Sequence, residues 1–146
     1  MNKLIGLLAA FLMSMPFMAN AENSTKIPGY TIHHNVITTD FLAPNVASAY
    51  RIIRSPNRGM INISVIKDVA GTTGQASMAS VSARAVNLIG QTRPIALREI
   101  REGDAIYYIG DFIIPSGNDQ LIFMLDVMPE GADKSYTAKL EHNFKN

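Results

Sequence analysis

Residues 135–144 have the sequence SYTAKLEHNF, in which apolar and polar side chains alternate. One face carries Tyr136, Ala138, Leu140 and Phe144. The other carries Ser135, Thr137, Lys139 and Glu141. Because successive side chains of an extended chain point to opposite faces, this pattern predicts a β-strand with one face buried and the other in solvent.

Six further runs alternate in the same way and end at Gly, Pro, Asn or Asp: 30–39, 59–68, 77–88, 93–101, 105–114 and 120–128. The run 93–101 is the least regular, and 105–114 is apolar on both faces, as expected for a central strand. About seven strands at this spacing predict an all-β fold, an immunoglobulin-like antiparallel β-sandwich. A closed barrel is the alternative, because strand count and alternation do not separate the two.

One segment, 40–58, lacks strand alternation. Within it, 44–50 is expected to form one or two helical turns, with Pro44 near the start, where its missing N–H costs nothing. Long connections of this kind often carry function. The structural alternative is a helical plug that covers one open end of the sandwich.

The first 21 residues have the three parts of a cleavable signal peptide in the required order. Lys3 supplies a positive start, 4–18 is apolar, and Ala19-Asn20-Ala21 provides small residues for cleavage after Ala21. The apolar run is shorter than the roughly 20 residues that span a bilayer. We therefore expect a signal peptide at 1–21, a flexible lead at 22–29 and a single domain at 30–146, exported to the periplasm with no transmembrane segment after cleavage.

Composition limits the chemistry of the mature domain. The chain has no Cys, so it has no disulfide and no site for an N-terminal lipid on Cys. Lys3 is the only charged residue in 1–21, and its removal leaves 12 Lys and Arg against 12 Asp and Glu. Nucleic acid is not expected as a partner, because its binders carry a basic excess.

Basic and aromatic side chains concentrate in and near the irregular segment. Arg51, Arg54 and Arg58 lie within eight residues, beside Tyr50 and Asn57. Such a cluster can bind a carboxylate or phosphate through forked guanidinium groups. The alternative is that these arginines are solvated, or that they pair with acids such as Glu99, Glu102 and Asp104.

Metal and catalytic sites are weaker alternatives. His33 and His34 are adjacent on a predicted strand and so face opposite ways, but His34 and His142 both share apolar faces and could meet as ligands of a metal or small-ligand carrier.

No nucleophile elbow, phosphate loop or Cys nucleophile is present. A hydrolase would need an unrecognised site, for example a carboxylate pair drawn from Asp104, Asp111 and Asp126. No cofactor is implied.

Two stretches resemble a known family. They are 41–65, including FLAP at 41–44 and RSPNRG at 54–59, and REGDAIYY at 101–108. Together they are similar to the signature of domain-of-unknown-function family 4426, and the likeness covers about 30–144. The resemblance implies a small exported protein of Gram-negative bacteria, located in the periplasm, with one β-sandwich domain. It implies no activity.

These observations favour a non-enzymatic binding or accessory module. Its partner is expected to be another periplasmic protein or a small anionic ligand. The recognition surface is expected to combine 50–58 with 101–108, with strand pairing at a sheet edge as a further contribution. Its candidate residues are Tyr50, Arg51, Arg54, Asn57, Arg58, Arg101, Asp104 and Tyr107.

Overall fold

The computed structural model describes residues 23–117 and 120–145. These form ten strands: β1 (Ser24–Ile27), β2 (Tyr30–Thr38), β3 (Arg58–Lys67), β4 (Gln75–Ala76), β5 (Ala79–Val86), β6 (Thr92–Ile95), β7 (Arg98–Glu102), β8 (Ala105–Ile113), β9 (Gln120–Pro129) and β10 (Tyr136–Asn143). A 3-10 turn (Thr39–Phe41) and one short helix, α1 (Pro44–Ala49), lie between β2 and β3.

The strands make two antiparallel sheets. The first has the order β1-β2-β3-β8-β7, with β4 also paired to β3, and the second has the order β10-β9-β5-β6. Without β1 and β4, the two orders match the A-B-E-D and G-F-C-C′ sheets of an immunoglobulin-like domain. The predicted sandwich is confirmed, and the described strands do not close into the alternative barrel.

The expected strand at 93–101 is wrong, because this stretch is two strands in different sheets. β6 pairs with β5 in the second sheet, and β7 pairs with β8 in the first. The chain crosses between the sheets at 96–97, directly over Gly110 of β8, where a Cβ would lie 2.6 Å from the Ala96 carbonyl oxygen. The absence of a side chain at Gly110 permits this crossing.

The expected flexible lead at 22–29 contains β1, which pairs with β2 along its whole length. Gly29, at a φ of +80°, makes the tight turn that folds the lead back onto β2. Backbone pairing therefore orders a segment whose polar composition suggested a loop. The described chain accordingly has ten strands rather than about seven.

The main core lies between the sheets, where the predicted faces point inward. Its fully buried side chains come from β2, β3 and β9: Ile32, Ile61, Ile63, Val65, Phe123, Leu125 and Val127. The apolar residues on both faces of 105–114 are explained as well, because β8 lies between β3 and β7 and packs against an apolar cluster on each side. Tyr108 faces this core, while Tyr107 and Ile109 face away from it.

A second apolar cluster lies on the outer face of the first sheet. Ile52, Met60 and Ile109 are buried there, and residues 39–57, hereafter the cover segment, pack over them. The sequence suggested a plug at an open end of the sandwich. The cover segment instead lies on a sheet face, because Met60 and Ile109 alternate with inward-facing residues and need their own protection from water.

No helix within 23–117 and 120–145 is long and apolar enough to cross a membrane. The predicted signal peptide at 1–21 lies outside the described residues.

Candidate functional site

The cover segment is held on the sheet by a buried hydroxyl. Thr39 is fully buried, and its Oγ1 donates a hydrogen bond to the Ile53 carbonyl at 2.7 Å. The same oxygen accepts a hydrogen bond from the Ser55 backbone N–H at 2.9 Å. Thr39 thus joins the start of the segment to its end.

Arg54 strengthens this junction. Its Nε donates to the Leu42 carbonyl at 2.7 Å, and its Nη2 donates to the Asp40 carbonyl at 3.0 Å. The planar guanidinium presents these two donors in a fixed geometry, one to each carbonyl. Arg54 therefore has a structural role in the cover segment.

The other two arginines of the predicted cluster point elsewhere. Nη2 of Arg58 lies 2.5 Å from Oδ2 of Asp111 on β8, in a half-buried ion pair. Arg51 has a positive φ of 55° after α1, and its side chain has no hydrogen-bond or ion-pair partner among the described residues. The three guanidinium groups thus have different environments, and none pairs with Glu99, Glu102 or Asp104.

The two predicted segments meet at the second cluster. Tyr50, which ends α1, and Tyr107 of β8 both pack against it. Arg98 of β7 donates to the Tyr50 carbonyl, a bond that ties the sheet edge to the cover segment. Arg98 was missed by sequence reasoning, since nothing in its alternating-charge context marks it.

Arg101 and Asp104 do not take part in this junction, because Arg101 points to the opposite face of β7 from Ile100 and Asp104 lies in the β7–β8 turn. They sit at the β7–β8 turn, whereas Arg58 pairs in register with Ile113 at the opposite end of β8. An eight-residue step along a strand spans roughly 25 Å. Arg101 donates to Oε2 of Glu99 at 3.2 Å and to Sδ of Met78 at 2.7 Å, and Asp104 is exposed in the turn.

Two large apolar side chains stand exposed on the cover segment. Phe41 is 81% exposed and Ile53 is 66% exposed. Their backbones are neighbours, because Thr39 and Arg54 bond 39–42 to 53–55. Asn57 is exposed at the end of the segment, and its carbonyl accepts a hydrogen bond from the Ile114 N–H.

The histidines occupy separate places in the core. His34 is buried on β2, its Nε2 lies 2.9 Å from Thr25 Oγ1, and its Nδ1 has no partner. His142 lies opposite Leu121, with its ring 4.5 Å from the ring of Phe144. Burial lowers the pKa of both imidazoles. Among the described residues, no three His, Asp or Glu side chains are grouped closely enough to hold a metal.

The three candidate carboxylates do not form a pair. Asp126 lies on the outer face of the second sheet, where Thr137 and Arg84 bond to it and lower its pKa. Asp111 lies on the outer face of the first sheet. Because stacked sheets are about 10 Å apart, the carboxylates of Asp111 and Asp126 point away from each other and are farther apart than the two carboxylates of a glycosidase. Asp104 is exposed at a turn.

Comparisons with known proteins agree with this fold. The crystal structure of a DUF4426 family protein from Pseudomonas aeruginosa PAO1 is 29% identical and superposes with a TM-score of 0.69, covering 86% of this chain and 95% of that one. A family 123 glycoside hydrolase from Clostridium perfringens is 11% identical, with a TM-score of 0.34 over 79% of this chain and 27% of that one, which is too low to support an argument. No curated protein matches the chain.

The sequence resemblance noted above is confirmed by a family model. The model for a domain of unknown function, DUF4426, matches residues 24–145, which is nearly everything after the predicted signal peptide. The chain therefore belongs to the DUF4426 family.

Proposed function

We propose that this chain is an exported, non-enzymatic binding module that recognises a protein partner in the periplasm. The recognition surface is the whole cover segment, 39–57, extended by Tyr107 of β8, which packs against the same cluster. The observation that carries the proposal is the pair of exposed apolar side chains, Phe41 and Ile53, on a segment otherwise fixed in place.

Rigidity favours recognition, because a partner that meets an ordered segment loses little further conformational entropy. The bonds made by Thr39 and Arg54 supply that order. Exposed Phe and Ile side chains are unfavourable in water, and their burial by a partner lowers the free energy of the complex. Arg51, which has no partner within the described residues, would face an acidic group on the bound protein.

Photocrosslinking tests the surface directly. A benzoylphenylalanine placed at Phe41 or Ile53, in full-length protein expressed with its own N-terminal segment, is expected to give discrete periplasmic adducts. Val69, 42% exposed beyond the far end of β3, is the matched control position. Arg51→Gln should weaken the adducts formed at Phe41. Equal adducts at Val69, or none at Phe41 and Ile53, would overturn the proposal.

Export has its own test. The mature protein is expected in the periplasmic fraction with Glu22 at its N-terminus, as measured by intact mass. Replacing Ala19 and Ala21 by Arg should leave an uncleaved precursor, because the peptidase site accepts small side chains. Normal processing of that variant would contradict the assignment.

A further inference from the structure

A cleft of about 250 Å³ opens between the two sheets, beside β6 and the second half of β8. Apolar side chains from both sheets line it, among them Ala85, Ile95, Phe112, Ile113 and Leu121. Drug-sized ligands occupy pockets of roughly 300–1,000 Å³. The cleft is below that range and is suited instead to one or two side chains of a longer molecule that lies partly outside it.

One wall of the cleft is an unpaired strand edge. β7 begins at Arg98, opposite Ile109, so no described strand pairs with 110–113 on that side. The Ile114 N–H bonds to Asn57, which fixes the phase of the β3–β8 ladder. Because hydrogen-bonding direction alternates along an antiparallel strand, the N–H and C=O groups of Asp111 and Ile113 point toward the open side.

The reason for the gap lies at Gly110. The connection between β6 and β7, at 96–97, crosses from the second sheet to the first over this residue, with the Ala96 carbonyl against the Gly110 backbone. β7 therefore cannot continue alongside Asp111 and Ile113. The unpaired edge is therefore a consequence of the fold.

The opposite wall is closed to strand pairing. β6 is an edge strand of the second sheet, and Pro94 in its middle has no N–H to offer. Such a proline is a common means of blocking edge association. No proline interrupts the β8 edge at 111–113, so the cleft has one receptive wall and one blocked wall.

A single cation marks the mouth of the cleft. Arg93 pairs in register with Ala85, shares the inward face of Ile95 and lines the cleft, yet its side chain has no ion-pair or hydrogen-bond partner among the described residues. Asp111, the acid in the cleft lining, is paired with Arg58. The β5–β6 hairpin beside the cleft also exposes Leu88 and Ile89, at 69% and 80%.

We propose that this cleft binds an extended peptide segment of a partner protein as an added strand. The segment pairs antiparallel with 111–113 of β8, in line with β7, and places an apolar side chain against Phe112 and Leu121. A carboxylate on the segment pairs with Arg93. This inference uses a surface separate from the cover segment, so each proposal can fail without the other.

The test uses two acetylated heptapeptides that alternate threonine and valine, one ending in glutamate and one in lysine, both amidated. Each is titrated to millimolar concentration into ¹⁵N-labelled mature protein. The glutamate peptide is expected to shift the amide signals of Asp111 and Ile113 and to slow their hydrogen exchange. Loss of a charge-assisted pair predicts about tenfold weaker binding for the lysine peptide.

Two protein variants and two modified peptides sharpen the result. Arg93→Gln should remove the preference for glutamate, whereas Lys67→Gln, which also deletes an exposed cation but at the far end of β3, should keep it. Of two glutamate peptides methylated on opposite alternate sets of backbone nitrogens, only one should lose binding, because only one set faces β8 in the ladder. Shifts confined to β1 or β10, equal binding of the glutamate and lysine peptides, or no shift at Asp111 and Ile113 would overturn the proposal.

Discussion

Nη2 of Arg58 lies 2.5 Å from Oδ2 of Asp111, across two neighbouring strands of the first sheet. The two side chains are 26% and 33% exposed, and Nε of Arg58 is buried without a partner. Arg58 belongs to the arginine cluster that the sequence suggested as an anion site, but its guanidinium is already paired with this carboxylate. The pair also joins β3 to the C-terminal end of β8, where the open edge lies.

We expect Arg58 and Asp111 to be energetically coupled. A double-mutant cycle with Arg58→Ala and Asp111→Ala should give a coupling free energy of about 1–2 kcal/mol, because the pair is half-buried and hydrogen-bonded. Urea denaturation measures it. The exposed pair Lys139–Glu141, 3.3 Å apart and more than half exposed on both sides, is the control and should give less than about 0.5 kcal/mol. Equal coupling in the two pairs would contradict this reasoning.

The hydroxyl of Thr39 should be essential to the cover segment. Thr39→Val keeps the shape but leaves the Ser55 N–H and the Ile53 carbonyl without their partner, at a cost of about 1–3 kcal/mol in the free energy of unfolding. Hydrogen exchange should rise first within 39–57. Thr137→Val, which removes an exposed bond to Asp126, should change stability by less than about 0.5 kcal/mol.

Gly110 should tolerate no side chain. A Cβ there would lie 2.6 Å from the Ala96 carbonyl oxygen and 2.7 Å from Cγ2 of Ile95, so Gly110→Ala should destabilise the fold by about 2–4 kcal/mol. Thermal and urea unfolding measure the effect. Gly29→Ala meets no atom within 4 Å and carries only the strain of its positive φ, so it should cost about 1 kcal/mol. A Gly110→Ala loss no greater than this would show that the crossing can shift.

Stability should fall in mild acid. Burial lowers the pKa of His34 and His142 below 6.5 in the folded state. As pH falls below 6.5, the unfolded chain therefore takes up protons that the folded chain does not, and the free energy of unfolding decreases. Stability is full above that pH and is lost progressively toward the lower folded-state values.

The histidine contribution can be isolated by substitution. His142→Phe, beside Phe144, should flatten part of the slope of stability between pH 7 and pH 5, as measured by urea midpoints. Asn35→Gln, at an exposed position on β2 without an ionisable group, is the control and should leave the slope as it is. An unchanged slope in His142→Phe would remove His142 as a source of acid sensitivity.

Much of the fold follows from local pattern. The alternation at 135–144 and 120–128 predicts β10 and β9 with the correct inward faces, and Pro44 marks the start of α1. The double-sided apolar pattern of 105–114 predicts a central strand, which β8 is. These features depend on the two-residue period of an extended chain, so neighbouring residues suffice to define them.

The candidate surface was less predictable. The sequence groups Arg51, Arg54 and Arg58, yet two of them have structural partners in 39–42 and on β8. Arg93 drew no attention, because its distinguishing feature is that it lines the cleft without a partner of its own, the acid there, Asp111, being paired with Arg58. Side-chain partners depend on residues tens of positions away, and no local pattern encodes them.

By itself, then, the sequence determined the six long strands β2, β3, β5, β8, β9 and β10, which of their faces are apolar, and where the irregular segment lies. The tertiary structure alone decided that 93–101 divides between two sheets, that 39–57 covers the outer face of β8, and that β8 keeps an open edge beyond Ile109. The physical reason is that alternation depends on neighbours along the chain. Sheet membership and edge pairing depend instead on which distant backbones meet, and here a glycine at 110 sets that meeting point.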